Sequence, residues 1–298
     1  MELKESRSRG RFRGILEEKN LTFDTDDKGG IIGIKGDIVV SNETGSYSFR
    51  VFSKAKNNQG QPNKLYSNYV DVKNDFVSRA EATQINGTPT EIEVDYTLRP
   101  NNYVNKQGVV TTALNYQTIF IRKPKADSAI KEDSALDITG SVLSTKKSED
   151  KKYSTVTIAV VGYNGDVSPV ELSVETEDFD EIATICQKGE TIQFACELRK
   201  EHVESAPKSN RRLAFGRAPK IRSGYDVVRL CIIGLWDGIE EDDEEYLPPD
   251  EIEQGLIERE SIAATKKDTK VEAKDTDENI NPEVEKIMSS IKDDEIPF

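Results

Sequence analysis

One stretch of the chain concentrates positive charge beside an aromatic ring. Between residues 208 and 222 there are six cations and no acidic residue. Cations can hold the phosphates of a nucleic-acid backbone, and an aromatic face can stack on any base. The stretch therefore predicts nucleic-acid contacts from Arg211, Arg212, Phe215, Arg217, Lys220 and Arg222.

A second candidate surface follows from an alternating pattern between residues 47 and 54. Tyr47, Phe49 and Val51 fall on one side of an extended strand, and the residues between them fall on the other. Because Phe49 and Val51 make a reasonable core pair, Arg50, Phe52 and Lys54 are expected on the exposed face. A shift of the register by one residue would exchange the two faces.

Other segments add aromatic and basic side chains to this set. Residues 101–106 place an aromatic residue near a lysine, and the alternating arginines of residues 7–13 could extend a phosphate path. A later predicted strand, near residues 155–163, offers only the small residues Thr155, Thr157 and Ala159 before the aromatic Tyr163. The additional predicted contacts are Arg11, Arg13, Tyr103, Lys106 and Tyr163.

The sequence gives little support for a catalytic or a metal-binding site. The chain has one histidine, His202, and no phosphate-binding glycine loop or Gly-x-Ser-x-Gly motif, so we expect no enzyme and no cofactor. The segment from Asp24 to Gly29 begins like a calcium loop but has lysine at the fifth position, which favours a hairpin turn. Three widely spaced cysteines in apolar runs predict buried thiols and no metal site.

The net charge of −14 is distributed unevenly. Residues 236–298 hold 22 acidic and 7 basic residues, whereas residues 1–235 hold 33 and 34. A nearly neutral body with an acidic tail can still bind phosphate if its cations cluster. Mean hydropathy is −0.62, only 35% of residues are hydrophobic, and no apolar run reaches membrane-spanning length, so we expect a soluble cytoplasmic protein with some disorder.

Strand patterns dominate residues 30–236 and recur at an offset near 100, which favours two copies of one domain. Chance similarity between two β-domains is the alternative. The matched blocks are Lys35–Val40 with Thr139–Ser144, Val70–Phe76 with Leu172–Phe179, Ile92–Arg99 with Ile192–Arg199, and the strands that start at Tyr116 and Tyr225.

Each copy has three strands, a short helix and two strands. This is the order of the OB-fold, a five-stranded Greek-key barrel. In the second copy the helix is predicted over residues 178–187, since Phe179, Ile182, Ala183 and Cys186 have helical spacing. Gly36 and Gly140 are placed where a small closed barrel needs a sharp bend. The fold class is therefore mainly β, with two tandem OB-folds and a disordered acidic C-terminal tail.

The last six residues, Asp293, Asp294, Glu295, Ile296, Pro297 and Phe298, resemble the acidic tip that ends bacterial single-stranded DNA-binding proteins. The usual bacterial protein has a single, shorter OB domain, so a tandem chain with this tip looks more like a phage-encoded or divergent member. The resemblance implies that the tip docks on replication, recombination or repair proteins. Phe298 offers a ring and a free carboxylate to one small pocket.

The resulting domain plan has six parts. They are an N-terminal basic strand or hairpin (1–29), the first OB-fold (30–126), a linker (127–136), the second OB-fold (137–239), an acidic flexible linker (240–292) and the docking tip (293–298).

The expected function is to coat single-stranded DNA and recruit partner proteins. An RNA-binding or annealing protein and a non-catalytic structural β-protein are the alternatives. The predicted setting is the bacterial cytoplasm or an infected host cell, without a membrane or metal partner.

Overall fold

Ten strands and four helices make up the part of the chain that the computed structural model describes, residues 3–125, 134–149, 152–204, 224–236 and 238–261. The strands are β1 (Ser8–Thr25), β2 (Ile31–Asn42), β3 (Gly45–Lys54), β4 (Glu91–Val104), β5 (Val110–Arg122), β6 (Ala135–Lys146), β7 (Tyr153–Val161), β8 (Val167–Glu175), β9 (Thr191–Glu204) and β10 (Gly224–Leu235). The helices are α1 (Lys64–Asp75), α2 (Arg79–Ile85), α3 (Phe179–Ile185) and α4 (249–261).

The first five strands close on themselves. β1 pairs antiparallel with β2 along one edge and with β4 along the other. β2 continues to β3, β3 pairs in parallel with β5 at Arg50 and Gln117, and β5 returns to β4. The spatial order is therefore β1-β2-β3-β5-β4-β1, with α1 and α2 between the third and fourth strands. We call this closed set the first unit.

The next five strands repeat that order. β6 pairs with β7 and β9, β7 with β8, and β9 with β10. β8 and β10 form the parallel contact at Ser173 and Cys231. α3 lies between the third and fourth strands of this second unit, and the helix predicted over residues 178–187 is confirmed. The units are joined by a short pairing of β1 with β6.

Two of the predicted repeat blocks have the wrong partners. Lys35–Val40 lies in β2, the second strand of its unit, whereas Thr139–Ser144 lies in β6, the first strand. Val70–Phe76 is mostly helix α1, yet it was matched with strand β8. Alternating and helical apolar spacings overlap in short segments, which explains the second error. The first error follows from the similar alternation of any two strands. The other two blocks, β4 with β9 and β5 with β10, are correct.

The predicted boundary at residue 29 is also wrong. β1 is an integral strand of the first unit, since residues 15–25 pair with β2 and residues 10–15 pair with β4. A separate N-terminal extension would leave β2 and β4 with open edges. The segment from Asp24 to Gly29 forms the β1–β2 turn, as predicted, where Asp26 Oδ1 accepts hydrogen bonds from the backbone amides of Lys28 and Gly30.

The interior of the first unit is aromatic. The ring of Phe12 lies 5.0 Å from that of Tyr47 and 5.4 Å from that of Phe49, and Tyr96 lies 5.1 Å from Phe49. The core continues into the second unit, because the Tyr47 hydroxyl donates to the carbonyl of Leu198 at 3.0 Å. The predicted burial of the three thiols is confirmed for Cys186, Cys196 and Cys231.

The acidic segment after the second unit is more ordered than predicted. Residues 240–261 were expected to be flexible, but Leu247 and Ile252 are buried against Ala159, Val161 and Val167. The hydroxyl of Thr191 also exchanges hydrogen bonds with the backbone of Leu247. A helix of this length is marginal alone, so the burial of one apolar edge stabilises it. The remainder of the predicted linker, 262–292, lies outside the described residues.

The bend at Gly36 provides a stability test. Its φ of +142° is open only to glycine, and a side chain there would overlap the carbonyl oxygen of Asn20 on β1. We expect Gly36→Ala to lower the free energy of unfolding by about 1–3 kcal/mol. Urea unfolding measures this, with Gly238→Ala as control because that position has open space around it. An equal effect of both substitutions would contradict the steric explanation.

Helix α4 carries two isoleucines that differ in burial, so one provides a test position and the other its control. Ile252 is 2% exposed in the contact with the second unit, whereas Ile257 is 58% exposed on the same helix. We expect Ile252→Ala to weaken the docking of α4 by about 2 kcal/mol, toward the low end for a buried isoleucine since an edge site can relax. Hydrogen exchange of residues 249–261 should accelerate in that variant and stay unchanged in Ile257→Ala.

Candidate nucleic-acid interface

The outer face of β3 presents the predicted set of cations and ring. Phe49 and Val51 are buried, and Arg50, Phe52 and Lys54 are exposed, so the side-chain orientation predicted from the alternation is the one observed. Phe52 is 48% exposed, which is unusual for a phenylalanine in a strand. Its ring is therefore available to a partner outside the unit.

Arg50 and Lys54 of this face make no ion pair with a described residue, although Asp37 of β2 is the strand partner of Arg50. In the part of the chain that the structure describes, no carboxylate lies within ion-pair distance of Arg50, Lys54 or Lys56. Across the strand pair, Lys35 of β2 stands opposite Phe52 and adds a further cation, although Lys35 Nζ is bound to Asp24 at 2.8 Å. Free positive charge beside an exposed ring suits the combination of phosphate and base.

Sequence reasoning missed the segment that follows β3. Residues 56–63 border a depression of about 580 Å³ next to Phe52, lined by Lys54, Lys56, Asn57, Asn58, Gln59 and Asn63. Asn57 Oδ1 accepts hydrogen bonds from the backbone amides of Gln59 and Gln61, which holds the turn. The run of amide side chains after a lysine was the available signal, because amides can bond to base edges.

Arg11 and Arg13 lie apart from this face and are bound by acids. Arg11 Nε contacts Asp95 at 2.9 Å, and Arg13 Nε contacts Glu91 at 2.9 Å. Arg122 binds Asp95 as well. Their charges are largely neutralised by neighbouring strands, so the structure gives these two arginines a role in holding β1 to β4.

The Asp95 carboxylate sits at the centre of that ion-pair network. Burial alone would raise the pKa of Asp95, but hydrogen bonds from Arg122 and Arg11 outweigh it and hold the pKa below its usual range. A third acid, Glu93, binds Arg122 Nε at 2.9 Å. The network is thus charge-balanced and buried enough to stabilise the ionised form.

Tyr103 and Lys106 lie at the tip of the arm formed by the ends of β4 and β5. Both side chains are exposed, and the arm extends from the first unit onto the second. Tyr163, in the β7–β8 turn, lies 5.7 Å from the guanidinium of Arg99 on β4. The structure therefore groups these residues at the boundary between the units, separately from β3.

The remaining predicted residues fall outside the described part of the chain. They are Arg211, Arg212, Phe215, Arg217, Lys220 and Arg222 of the basic stretch, and Asp293, Asp294, Glu295, Ile296, Pro297 and Phe298 of the tip. The basic stretch follows β9 and precedes β10, between the fourth and fifth strands of the second unit, as predicted.

A family model described as YorF matches residues 8–270, most of the chain. The chain belongs to the YorF family. The match begins at the first residue of β1 and extends past α4, so both units and the acidic helix are part of the family's shared region. A search of curated proteins gives no significant match.

Two solved structures of a single-stranded DNA binding protein from Thermus aquaticus resemble this YorF-family chain at a low level. The wild-type protein has a TM-score of 0.44 and 10% identity, covering 81% of this chain and 97% of that one. A deletion mutant has a TM-score of 0.42 and 12% identity, covering 81% and 98%. At these values, the function of the YorF-family chain must be inferred from its own residues.

The described residues show neither a metal-binding cluster nor a thiol with a lowered pKa. Within them, no group of three or more histidine, cysteine or acidic side chains is arranged to hold a metal ion. Burial raises the pKa of the Cys186 thiol to about 11, which disfavours a reactive thiolate. None of the described helices is long and apolar enough to cross a membrane.

The Asp95 network predicts a specific dependence of stability on pH. We expect Asp95→Asn to lower the free energy of unfolding by about 1.5–3 kcal/mol at neutral pH, because charge-assisted hydrogen bonds are lost. Since the folded-state pKa is depressed, this stabilisation is complete above the ordinary aspartate pKa of about 3.9 and is lost as the pH falls below it. Thermal unfolding between acidic and neutral pH measures the effect.

The control for that prediction is Asp71→Asn, which changes an exposed carboxylate on α1. Its thermal midpoint should follow the unmodified protein at every pH. If Asp95→Asn also followed it, the network would contribute nothing to the fold.

Proposed function

We propose that this chain binds single-stranded DNA without strong sequence preference and coats it. The observation that carries the proposal is the outer face of β3, where an exposed Phe52 stands between the unpaired cations Arg50 and Lys54. Cations that hold phosphates beside a ring that stacks on bases are the components of non-specific single-strand binding. In duplex DNA the bases are paired and stacked inside the helix, so no base face is available to stack on the Phe52 ring.

The proposal includes an OB-fold for each five-strand unit. In its support, each unit has the order of an OB barrel, with its helix or helices between the third and fourth strands. OB-folds bind oligonucleotides on the face of their second and third strands, flanked by the loops before the second and after the fourth strand. β2 and β3 are those strands in the first unit. The face that bears Phe52 therefore coincides with the expected binding surface.

Other parts of the chain extend the proposed function. The basic stretch of residues 208–222 would follow the DNA backbone from the second unit, with contributions from Tyr103, Lys106 and Tyr163. The tip of residues 293–298, at the end of an acidic segment, would recruit replication, recombination or repair proteins. This role fits a non-catalytic protein of a bacterial or infected cytoplasm, and a phage origin is compatible with it.

Salt dependence tests the phosphate contacts. We expect Lys54→Ala to reduce the slope of the logarithm of affinity against the logarithm of salt concentration by about 0.7, the value for one phosphate contact on a single strand. Fluorescence anisotropy with labelled oligo-dT measures it. Lys188→Ala is the matched control, since Lys188 is an exposed lysine in the turn between α3 and β9, distant in the chain from β3. Equal slopes for both variants would contradict the assignment.

Substitutions of Phe52 test stacking separately from charge. Phe52→Ala should weaken oligo-dT binding by about 1–3 kcal/mol, because a stacked base is lost. Phe52→Leu keeps apolar area without the ring and should weaken binding nearly as much. Duplex DNA should bind far more weakly than oligo-dT, while equal affinity for oligo-U would favour an RNA-binding protein. No binding to any of these at low salt would overturn the proposal in favour of a structural role.

A further inference from the structure

The outer faces of the second and third strands differ between the two units. In the first unit that face is open, with Arg50, Phe52 and Lys54 exposed. In the second unit the corresponding strands are β7 and β8, where Thr157 stands opposite Glu171 and Val161 opposite Val167. The two ends and the middle of the β7–β8 face have different neighbours.

One end of the β7–β8 face is buried by the acidic segment. Ala159, Val161 and Val167 point outward from their strands yet are at most 1% exposed, because Leu247 and Ile252 cover them. At Gly255 of α4, a side chain would overlap Val167, so the helix backbone approaches the strand closely. A base could not reach this end without displacing an apolar contact.

The β4–β5 arm of the first unit bonds to this same end of β8 and runs beside the middle of the face. Asn102 Nδ2 donates to Ser168 Oγ at 2.9 Å and to the carbonyl of Val167 at 3.3 Å. Arg259 of α4 secures the arm from the other side, with Nε donating to Asn102 Oδ1 at 3.0 Å and Nη2 donating to Thr112 Oγ1 at 3.1 Å. A groove of about 460 Å³ remains between arm and face, with the Glu171 carboxylate and the guanidinium groups of Arg229 and Arg259 in its wall. Both guanidinium groups are already bonded, that of Arg229 to Glu201 and that of Arg259 to the arm.

The far end of the face carries an aromatic residue, but its cations are paired. Tyr153 lies 4.8 Å from Lys152 Nζ and 5.2 Å from the guanidinium of Arg229. Arg229 binds Glu201 at 2.8 Å, and Lys152 Nζ lies 4.0 Å from Glu175. Unlike Arg50 and Lys54, these two cations already have carboxylate neighbours.

The covering segment also has the wrong charge for a nucleic-acid surface. Residues 240–261 hold eleven acidic residues and one basic residue, Arg259. The acids at 244 and 245 pair with Lys4 and Arg7 of the N-terminal segment, which leaves most of the others exposed. Phosphates approaching the covered end of β7 and β8 would therefore be repelled.

We infer that the two units have different tasks: the β2–β3 face takes the bases, whereas the β7–β8 face is an interface within the chain. This inference rests on the proposed function. The second unit then supports the first by holding its β4–β5 arm.

Matched tryptophan probes test this division in the full chain. The only tryptophan, Trp236, is first replaced by phenylalanine, and Phe52→Trp and Tyr153→Trp are then made separately. On saturation with oligo-dT, emission of the Phe52→Trp protein should fall about twofold or more because bases stack on the ring. Emission of the Tyr153→Trp protein should stay unchanged. Anisotropy of labelled oligo-dT confirms binding in each variant.

Photo-crosslinking of the unmodified chain to a halogenated oligo-dU gives a second readout that does not depend on substitutions. Crosslinks are expected in residues 45–54 and not in β7 (Tyr153–Val161) or β8 (Val167–Glu175). Equal quenching of both probes, crosslinks within β7 or β8, or no quenching of either probe despite binding would overturn the inference while leaving the proposed function standing. Absence of any binding by anisotropy would overturn both.

Discussion

Pairing of β1 along both of its edges is the interaction on which the first unit depends. The strand runs for 18 residues, so that it bonds to β4 with its first half, to β2 with its second half, and to β6 at its beginning. Closure removes the open edges that would otherwise invite aggregation. It also gives every strand an inside and an outside, which places Phe49 in the core and Phe52 in solvent. The candidate interface is thus a consequence of closure.

Charge compensation distinguishes structural from functional cations in this protein. Arg11, Arg13 and Arg122 are bound by carboxylates of neighbouring strands, and their network joins the strands of the first unit. Arg50 and Lys54 have exposed side chains and no such partners among the described residues. A cation already bound to an acid gains little from a phosphate, because the ion pair must first be broken. The distribution of acids, more than that of arginines and lysines, therefore indicates where a polyanion can bind.

The described part of the acidic segment, residues 240–261, both packs on the second unit and carries charge. It docks by apolar contacts at Leu247 and Ile252 while most of its carboxylates face solvent, and Arg259 ties the arm of the first unit to the second. Asymmetry between two units of the same topology follows from this docking. Duplicated strand order therefore does not imply duplicated function, since one copy's face is used for assembly within the chain.

Several features of the structure could be predicted from local patterns in the amino-acid sequence. Helix α3, the β1–β2 turn, the buried thiols and the outward orientation of Arg50, Phe52 and Lys54 follow from local composition and from spacings of two or of three to four residues, which depend on neighbours in the chain. The place of β1 in the first unit, the pairing of Arg11 and Arg13 with acids, and the docking of α4 were decided only by the tertiary structure. The hydrogen bonds involved join residues that are 78 or more positions apart in the chain: Arg13 with Glu91, Arg11 with Asp95, and Arg259 with Asn102. Residue spacing within a segment cannot predict these contacts, because the two partners come close only when the strands close into a barrel.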